Sequence, residues 1–155
     1  MAEAGEMKVL DSCHVSPPPG SVPNTSLRLT FFDLPWFPFP NIQRLFFYKF
    51  PHPTSHFMET IIPLLKHSLS LTLQHFFPYA AKLICPPPPG KPYIHYRDGD
   101  FVTFTVVESS ADFNHIVANY PRDVKVLQPF APKLLPTEAE DGIRFLPIVA
   151  FQGCH

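Results

Sequence analysis

The chain has 155 residues, enough for one domain, and its 12 basic and 13 acidic side chains nearly balance. This balance excludes the basic surface typical of nucleic-acid binding, and no apolar run approaches the roughly 20 residues that cross a bilayer. The N-terminal MAEAGEMKVLDSCHV lacks the basic start and apolar centre of a signal peptide, and three cysteines stand without CxxC spacing, so a cytoplasmic protein with reduced thiols is expected.

The first half of the chain predicts strands separated by proline-rich connections. Although 21 prolines alone would suggest disorder, a hydrophobic content of 45% predicts a globular domain. Lys8–Val15 is a candidate strand, and Leu27–Phe32 alternates as a half-buried strand does. The following FFDLPWFPFPNIQ is predicted to be a loop, because its prolines interrupt any strand ladder. The aromatic run Arg44–Phe50 predicts another strand.

The main helix is predicted over Phe57–Phe77, where apolar residues recur every three or four positions. Pro63 costs about 3 kcal/mol inside a helix, so it indicates either a kink or the first turn of a second helical segment. Pro78 ends the helix, and ICPPPPGKP predicts an extended polyproline connection.

The second half predicts a hairpin, a short helix and a final strand. Tyr93–Arg97 and Phe101–Glu108 flank Asp98-Gly99, which is a type I′ hairpin signal. Asp112 is predicted to cap a short helix that Pro121 stops. A proline-broken loop then leads to a buried strand over Phe145–Phe151. The fold class that follows is α+β, with a mixed β-sheet and flanking helices.

Two motif hypotheses remain weak on the residues alone. His52 and His56 have the spacing of zinc ligands on a helical turn, but Pro53 lies between them and no third ligand is placed, so no metal site is predicted. The runs SPPPG and CPPPPG match ligands of SH3 or WW domains, although such matches are frequent by chance in so proline-rich a chain. No GxSxG, GxxxxGK or GxGxxG motif is present.

Four runs of sequence carry a resemblance: LRLTFFDLPWFPFPNIQRLFFYKF, SHFMETIIPLLKHSLSLTLQHFFPYAAKL, PYIHYRDGDFVTFTVVESSADFNHIV and LLP…LPIVAFQ. In this order, from Lys8 to Gln152, the chain resembles the start of a plant BAHD acyltransferase. Within that family it is most similar to the malonyl- and hydroxycinnamoyl-transferases of anthocyanin and phenolic glucosides. The most specific pieces are LTFFDLPW and LSLTLQHFFPYAAKL.

The resemblance implies both a fold and a reaction. BAHD enzymes have two chloramphenicol-acetyltransferase-like domains with a tunnel between them, and a DFGWG motif supports this architecture. They move an acyl group from coenzyme A to a hydroxyl or amine, and the histidine of an HxxxD motif is the general base. The implied co-substrate is malonyl-CoA or hydroxycinnamoyl-CoA, with no bound cofactor, and the implied acceptor is a phenolic or anthocyanin glucoside.

Neither family motif occurs in the chain. None of the eight histidines has an aspartate four positions later, and in HYRD Asp98 follows His95 by three. His155 comes too early to be the motif histidine, because in the family a further strand and turn follow LPIVAFQ. We therefore expect no catalytic residue within the chain. We expect residues 1–155 to be an incomplete N-terminal acyltransferase-like domain, without the second domain and inactive alone.

The resemblance also implies two substrate-binding residues. The loop after the LTFFD strand borders the family's tunnel, so Phe32 and Trp36 are predicted to contact an aromatic acceptor. Packing of Trp36 in the core is an equal alternative, and Asp33 is predicted to hold the turn. A rival interpretation of the whole chain is a non-catalytic interaction protein derived from such an enzyme; an SH3- or WW-binding module is a third.

Overall fold

The computed structural model describes residues 5–36, 41–121, 123–139 and 141–155. Among these residues, no helix has the length and apolar character needed to span a membrane. Within the described ranges, eight strands form two sheets. They are β1 (Met7–Val15), β2 (Thr25–Arg28), β3 (Lys82–Cys85), β4 (Tyr93–Tyr96), β5 (Val102–Ser109), β6 (Thr137–Glu138), β7 (Arg144–Pro147) and β8 (Ala150–Cys154).

A three-stranded sheet in the order β1-β5-β8 carries the centre of the core. β5 pairs antiparallel with β1 and parallel with β8, so the sheet is mixed. Val102, Phe104 and Val106 are buried at alternate positions of β5, because successive strand side chains point to opposite faces. They join Phe57 and Ile62 of the long helical run in one cluster. The mixed sheet and its helices confirm the predicted α+β class.

The second sheet has five strands in the order β2-β4-β3-β7-β6, and all its neighbouring pairs are antiparallel. β3 lies at its centre, paired with β4 on one side and β7 on the other. The predicted polyproline connection is therefore wrong, since its first two residues, Ile84 and Cys85, belong to this central strand. The prolines that follow make a turn, in which the Gly90 N–H donates to the Pro87 carbonyl at 2.9 Å.

The predicted hairpin is also wrong, although both of its strands exist. β4 belongs to the five-stranded sheet and β5 to the three-stranded sheet, so the two do not pair. A type I′ turn needs a positive φ at both central residues, and here only Gly99 has one, at 89°. Asp98 is instead tied to a neighbouring loop: its N–H donates to Asn24 and its carboxylate accepts the Gly20 N–H. The turn therefore carries the chain from one sheet to the other.

The long helix is a continuous run of three segments. It begins with α1 (Thr54–His56), widens into a π-turn at Phe57–Ile61 and continues as α2 (Ile62–His75). Pro63 lies in the first turn of α2, which confirms the second of its two predicted roles. Because Pro63 has no N–H to donate, the widened turn before it accommodates the missing hydrogen bond. A 3₁₀ turn, Phe77–Tyr79, follows α2.

The predicted final strand, Phe145–Phe151, is two strands in two sheets. β7 pairs with β3, and β8 pairs with β5, so the chain changes sheet at Ile148 and Val149. Pro147 ends β7, since a proline cannot donate to a continuing ladder. Both short strands are mostly half-buried rather than fully buried.

Two further strand predictions fail in part or completely. Residues 44–50 form no strand, because no other described segment pairs with them. Leu27–Phe32 is a strand only as far as Arg28, and Phe31, predicted to be half-buried, is exposed. By contrast, the predicted strand Lys8–Val15 is confirmed, because β1 begins one residue earlier, at Met7, and ends at Val15.

The predicted short helix is confirmed as α3 (Phe113–Val117), but it ends at Val117 and not at Pro121. The Asp112 carboxylate accepts the Asn114 N–H at 2.9 Å and so caps its first turn. The connection after it, predicted to be a loop, contains α4 (Val124–Leu127) and the small strand β6.

Candidate functional site

The loop after β2 carries the two residues predicted to bind substrate. Asp33 closes this loop, because its carboxylate accepts the Thr30 N–H at 2.6 Å and the Thr30 hydroxyl at 2.7 Å. The hydrogen bond from the Thr30 side chain, with the backbone bond second, lowers the pKa of Asp33 below its usual value. The predicted structural role of Asp33 is thus confirmed. The last part of the predicted loop, residues 37–40, lies outside the described residues.

Phe32 and Trp36 point away from the core. Their side chains are 80% and 72% exposed, which contradicts the alternative that Trp36 packs in the core. Phe32 stands edge-on to Phe31, with ring centroids 5.7 Å apart. Their role as acceptor contacts stays a prediction.

An open groove of about 1200 Å³ lies elsewhere, along the free edge of β8. The segment 44–50 forms one side, and α3 with the 3₁₀ turn Gln128–Phe130 forms another. The floor includes Phe57, β8 itself and His155. Neither Phe32 nor Trp36 lines it, so the predicted substrate residues and this groove are separate features.

The groove is lined chiefly by apolar and aromatic groups. Phe46 and Tyr48 are largely exposed, whereas Phe50 packs edge-on against Phe57 at 5.6 Å between centroids. Arg44 and Lys49 are the charged side chains among the described lining residues, and no Asp or Glu is among them. Such a surface suits an apolar occupant that is neutral or negatively charged.

His155 is held at one end of the groove by both of its ring nitrogens. Nε2 lies 3.2 Å from the His52 carbonyl oxygen, which can only accept, so Nε2 carries the proton of a neutral ring. Nδ1 then accepts from the Thr54 hydroxyl at 3.2 Å. Neither nitrogen retains a free lone pair for an acceptor hydroxyl. The prediction that His155 is not a catalytic base agrees with this geometry and stays a prediction.

The histidines that raised a metal hypothesis lie close together. The rings of His52 and His56 have centroids 4.9 Å apart, and the Thr60 hydroxyl lies 3.4 Å from the His56 Nδ1. Over the ranges that the structure describes, no group of three His, Cys, Asp or Glu residues could hold a metal ion.

A serine–histidine pair that sequence reasoning missed lies on the five-stranded sheet. Ser26 and His95 face each other across β2 and β4, and their Oγ and Nδ1 atoms are 2.7 Å apart. Arg97 donates through Nε to the His95 Nε2 at 3.2 Å, so the proton of the neutral ring is on Nδ1. His95 therefore donates to Ser26 and cannot remove its proton. The pair is a polar contact between strands rather than a nucleophile with its base.

The fold and these contacts describe an α+β domain with an apolar groove at a sheet edge. The family model described as "Transferase family" matches residues 11–152, and the chain belongs to that family.

Its relatives define the branch of the family. The chain is 50% identical over 148 residues to coumaroyl-CoA:anthocyanidin 3-O-glucoside-6''-O-coumaroyltransferase 1 of Arabidopsis thaliana, covering 94% of this chain and 32% of the relative. It is 44% identical over 150 residues to malonyl-coenzyme A:anthocyanin 3-O-glucoside-6''-O-malonyltransferase of Dahlia pinnata, covering 94% of this chain and 33% of that relative. Phenolic glucoside malonyltransferase 1 of Nicotiana tabacum is 39% identical over 145 residues, covering 93% of this chain and 32% of that relative. These matches confirm the resemblance to anthocyanin and phenolic glucoside acyltransferases. The chain spans about a third of the length of these curated relatives.

Proposed function

We propose that this chain is the N-terminal part of an acyl-CoA-dependent O-acyltransferase. The whole enzyme transfers a malonyl or hydroxycinnamoyl group, such as coumaroyl, to a hydroxyl of an anthocyanin or phenolic glucoside. The observation that carries this proposal is the 50% identity to a coumaroyl-CoA-dependent transferase over 94% of the chain. The relatives named as malonyltransferases also act on glucosides, so the glucoside acceptor is common to both groups of relatives and the acyl group is not.

The proposed reaction divides its chemistry between two parts of the enzyme. In it, a histidine of an HxxxD motif removes the proton of the acceptor hydroxyl, and the oxygen attacks the thioester carbonyl. Coenzyme A leaves as the thiol once it has gained a proton. No histidine of this chain has an aspartate four residues later, so we assign the base to the two-thirds of the enzyme that the chain does not span.

For this chain, we propose an incomplete N-terminal domain of the chloramphenicol-acetyltransferase-like type, over residues 1–155. Its mixed sheet and flanking helices support that assignment. Phe32 and Trp36 would contact the aromatic acceptor in the complete enzyme, and their exposure on a loop supports a binding role. We also propose a cytoplasmic location, with which three free cysteines agree.

A chimera tests the proposed function. The matched 148 residues of the Arabidopsis coumaroyltransferase 1 are replaced by the corresponding residues of this chain. Coumaroyl-CoA and malonyl-CoA are then offered with an anthocyanidin 3-O-glucoside and a phenolic glucoside, and products are separated by chromatography. We expect acyl transfer that disappears when the HxxxD histidine is replaced by alanine. A folded chimera without transfer to either glucoside would contradict the proposal.

A further inference from the structure

Asp33 joins two consecutive turns in the loop after β2. Its N–H donates to the Thr30 carbonyl at 3.1 Å, and this bond closes the turn that contains Phe32. Its own carbonyl accepts the Trp36 N–H, also at 3.1 Å, and this bond closes the three-residue 3₁₀ turn that ends at Trp36. One residue therefore ends the turn of Phe32 and begins the turn of Trp36.

The side chains of Thr30 and Asp33 hold the first of these turns closed. A single oxygen of the Asp33 carboxylate, Oδ2, accepts both the Thr30 N–H and the Thr30 hydroxyl. With the backbone bond, three hydrogen bonds join the same two residues. Hydrogen bonds to an ionised acceptor are shorter and stronger than those between neutral groups. The relative placement of Phe32 and Trp36 thus depends on Thr30 and Asp33.

The order of the two aromatic rings comes from this turn more than from the core. Phe32 and Trp36 are both largely exposed, so core packing contributes little to their orientation. A binding surface that is ordered before its ligand arrives loses less conformational entropy when the ligand binds. The bonds between Thr30 and Asp33 supply that order.

We propose that Thr30 and Asp33 are positioning residues that give the enzyme a preference for acceptors with an extended ring system. The inference rests on the proposed function, in which Phe32 and Trp36 contact the acceptor. An aglycone with several rings, such as an anthocyanidin, reaches both side chains at once, so its binding depends on their relative placement. A phenol with a single ring contacts one of them at a time, and its binding does not depend on that placement.

Steady-state kinetics of the chimera described above test this preference. The two acceptors are an anthocyanidin 3-O-glucoside and the glucoside of a phenol with one ring. For Asp33→Ala we expect the KM of the anthocyanidin glucoside to rise about fivefold, and the KM of the phenol glucoside to stay within about twofold. The kcat for both acceptors should also stay within about twofold, because Asp33 takes no part in the chemical step.

Two variants at Thr30 separate its hydroxyl from its size. Thr30→Val keeps the shape of the side chain but removes the hydroxyl, so the KM of the anthocyanidin glucoside should rise about threefold. Thr30→Ser keeps the hydroxyl and should restore that KM to within about twofold of the original value. Asp141→Ala is the matched control. The Asp141 carboxylate accepts the Ile143 N–H at 3.1 Å in an exposed turn outside this loop, and its loss should leave both KM values unchanged.

Fluorescence of the 155-residue chain tests the positioning without any catalysis. Trp36 is the single tryptophan of the sequence, so its emission anisotropy reports the order of this loop alone. At a low protein concentration, where self-association is slight, we expect Asp33→Ala to lower the anisotropy by about a third, because the freed loop moves within nanoseconds. Asp141→Ala should leave the anisotropy unchanged.

The outcomes separate this inference from the proposed function. An anisotropy that Asp33→Ala leaves unchanged would overturn the inference, as would an active chimera in which Asp33→Ala raises both KM values equally or neither. A folded chimera that binds both glucosides without acyl transfer would contradict the proposed function. In that chimera the ratio of the two dissociation constants replaces the ratio of KM values, and a ratio unaffected by Asp33→Ala would overturn the inference.

Discussion

The exposed aromatic side chains of the loop after β2 add little to the stability of the chain. Large apolar side chains that stay in water contribute little to the free energy of folding, and Phe32 and Trp36 remain 80% and 72% exposed. Asp33 fixes the loop through two bonds to Thr30, so the rings are presented on a closed turn rather than on a loose segment.

Trp36→Ala in the chimera should affect substrate binding rather than folding. An aromatic contact is worth about 0.5–1.5 kcal/mol, so we expect the acceptor KM to rise roughly 2- to 13-fold. Because Trp36 is exposed, the free energy of unfolding should change by no more than about 0.5 kcal/mol. Leu135→Ala removes a similarly exposed apolar side chain outside the loop and should leave KM unchanged. A large fall in melting temperature with an unchanged KM would assign Trp36 to packing.

The ion pair between Asp11 of β1 and Lys66 of α2 joins sheet and helix. Its atoms are 2.6 Å apart. The hydrogen bond with Lys66 lowers the pKa of Asp11 below 3.8, and the same bond raises the pKa of Lys66 above 10.5. The pair therefore makes its full contribution to the free energy of unfolding between pH 3.8 and pH 10.5. This contribution is lost as the pH falls through the lowered pKa of Asp11 or rises through the raised pKa of Lys66.

Asp11→Asn should consequently destabilise the chimera only at the pH values at which both Asp11 and Lys66 are charged. Both side chains are partly exposed, so we expect a loss of about 0.5–1 kcal/mol in urea unfolding at pH 7, shrinking at pH 3. Glu59→Gln removes an exposed carboxylate from the same helical run and should have no comparable effect. An equal loss of unfolding free energy from Asp11→Asn at both pH values would show that the charge of Asp11 does not contribute to stability.

At the scale of elements, the position of β8 beside the helix has a direct consequence for Gly153. A Cβ at Gly153 would lie 3.7 Å from both Ile62 Cδ1 and Phe57 Cζ, which is ordinary packing distance. Gly99 has open space around it but a φ of +89°, which side-chain-bearing residues rarely adopt. The two glycines therefore differ in what an added methyl group does.

Gly153→Ala should stabilise the chimera by about 0.4–1 kcal/mol, because it restricts the unfolded chain and adds apolar contact. Gly99→Ala should destabilise it by about 1–2 kcal/mol, because it forces a left-handed backbone conformation on alanine. Urea unfolding measures both. Marked destabilisation by Gly153→Ala would mean that β8 does not lie against Phe57 and Ile62 as described.

The elements that the sequence predicts well are those set by local chemistry. β1 and the α3 cap at Asp112 depend on neighbouring residues, and both are confirmed. The role of Pro63 also follows from its own missing N–H. Strand pairing depends on distant residues instead. The Asp98-Gly99 turn suggests a hairpin, but its bonds to Asn24 and Gly20 send the chain into another sheet, which no local pattern reveals.

The candidate site shows the same division. The position of Phe32, Trp36 and Asp33 on a loop could be predicted from sequence, because the run that carries them is rich in prolines. The groove along β8 could not be predicted. Segment 44–50, which lines it, is predicted to be a strand but forms none, and the predicted final strand divides between two sheets. Aromatic runs predict strands in general, and only the fold decides whether a partner strand exists.

For the whole molecule, the free edge of β8 and its apolar groove predict self-association of the isolated chain. Unpaired strand edges and uncovered apolar surface favour contacts between copies. We expect a broad distribution of sizes by light scattering at tens of micromolar, narrowing when the missing part of a relative is added. A monodisperse monomer with cooperative unfolding would favour the rival interpretation, a non-catalytic interaction protein that folds independently.

The most direct measurement of the central claim is acyl transfer by the 155-residue chain itself. An anthocyanidin 3-O-glucoside is incubated with coumaroyl-CoA or malonyl-CoA in the presence of the chain or of its His155→Ala variant. The acylated product is quantified against a reaction without protein. Because both ring nitrogens of His155 are engaged and no HxxxD motif is present, we predict no transfer above the uncatalysed rate from either chain. Transfer by the original chain that His155→Ala abolishes would contradict the account.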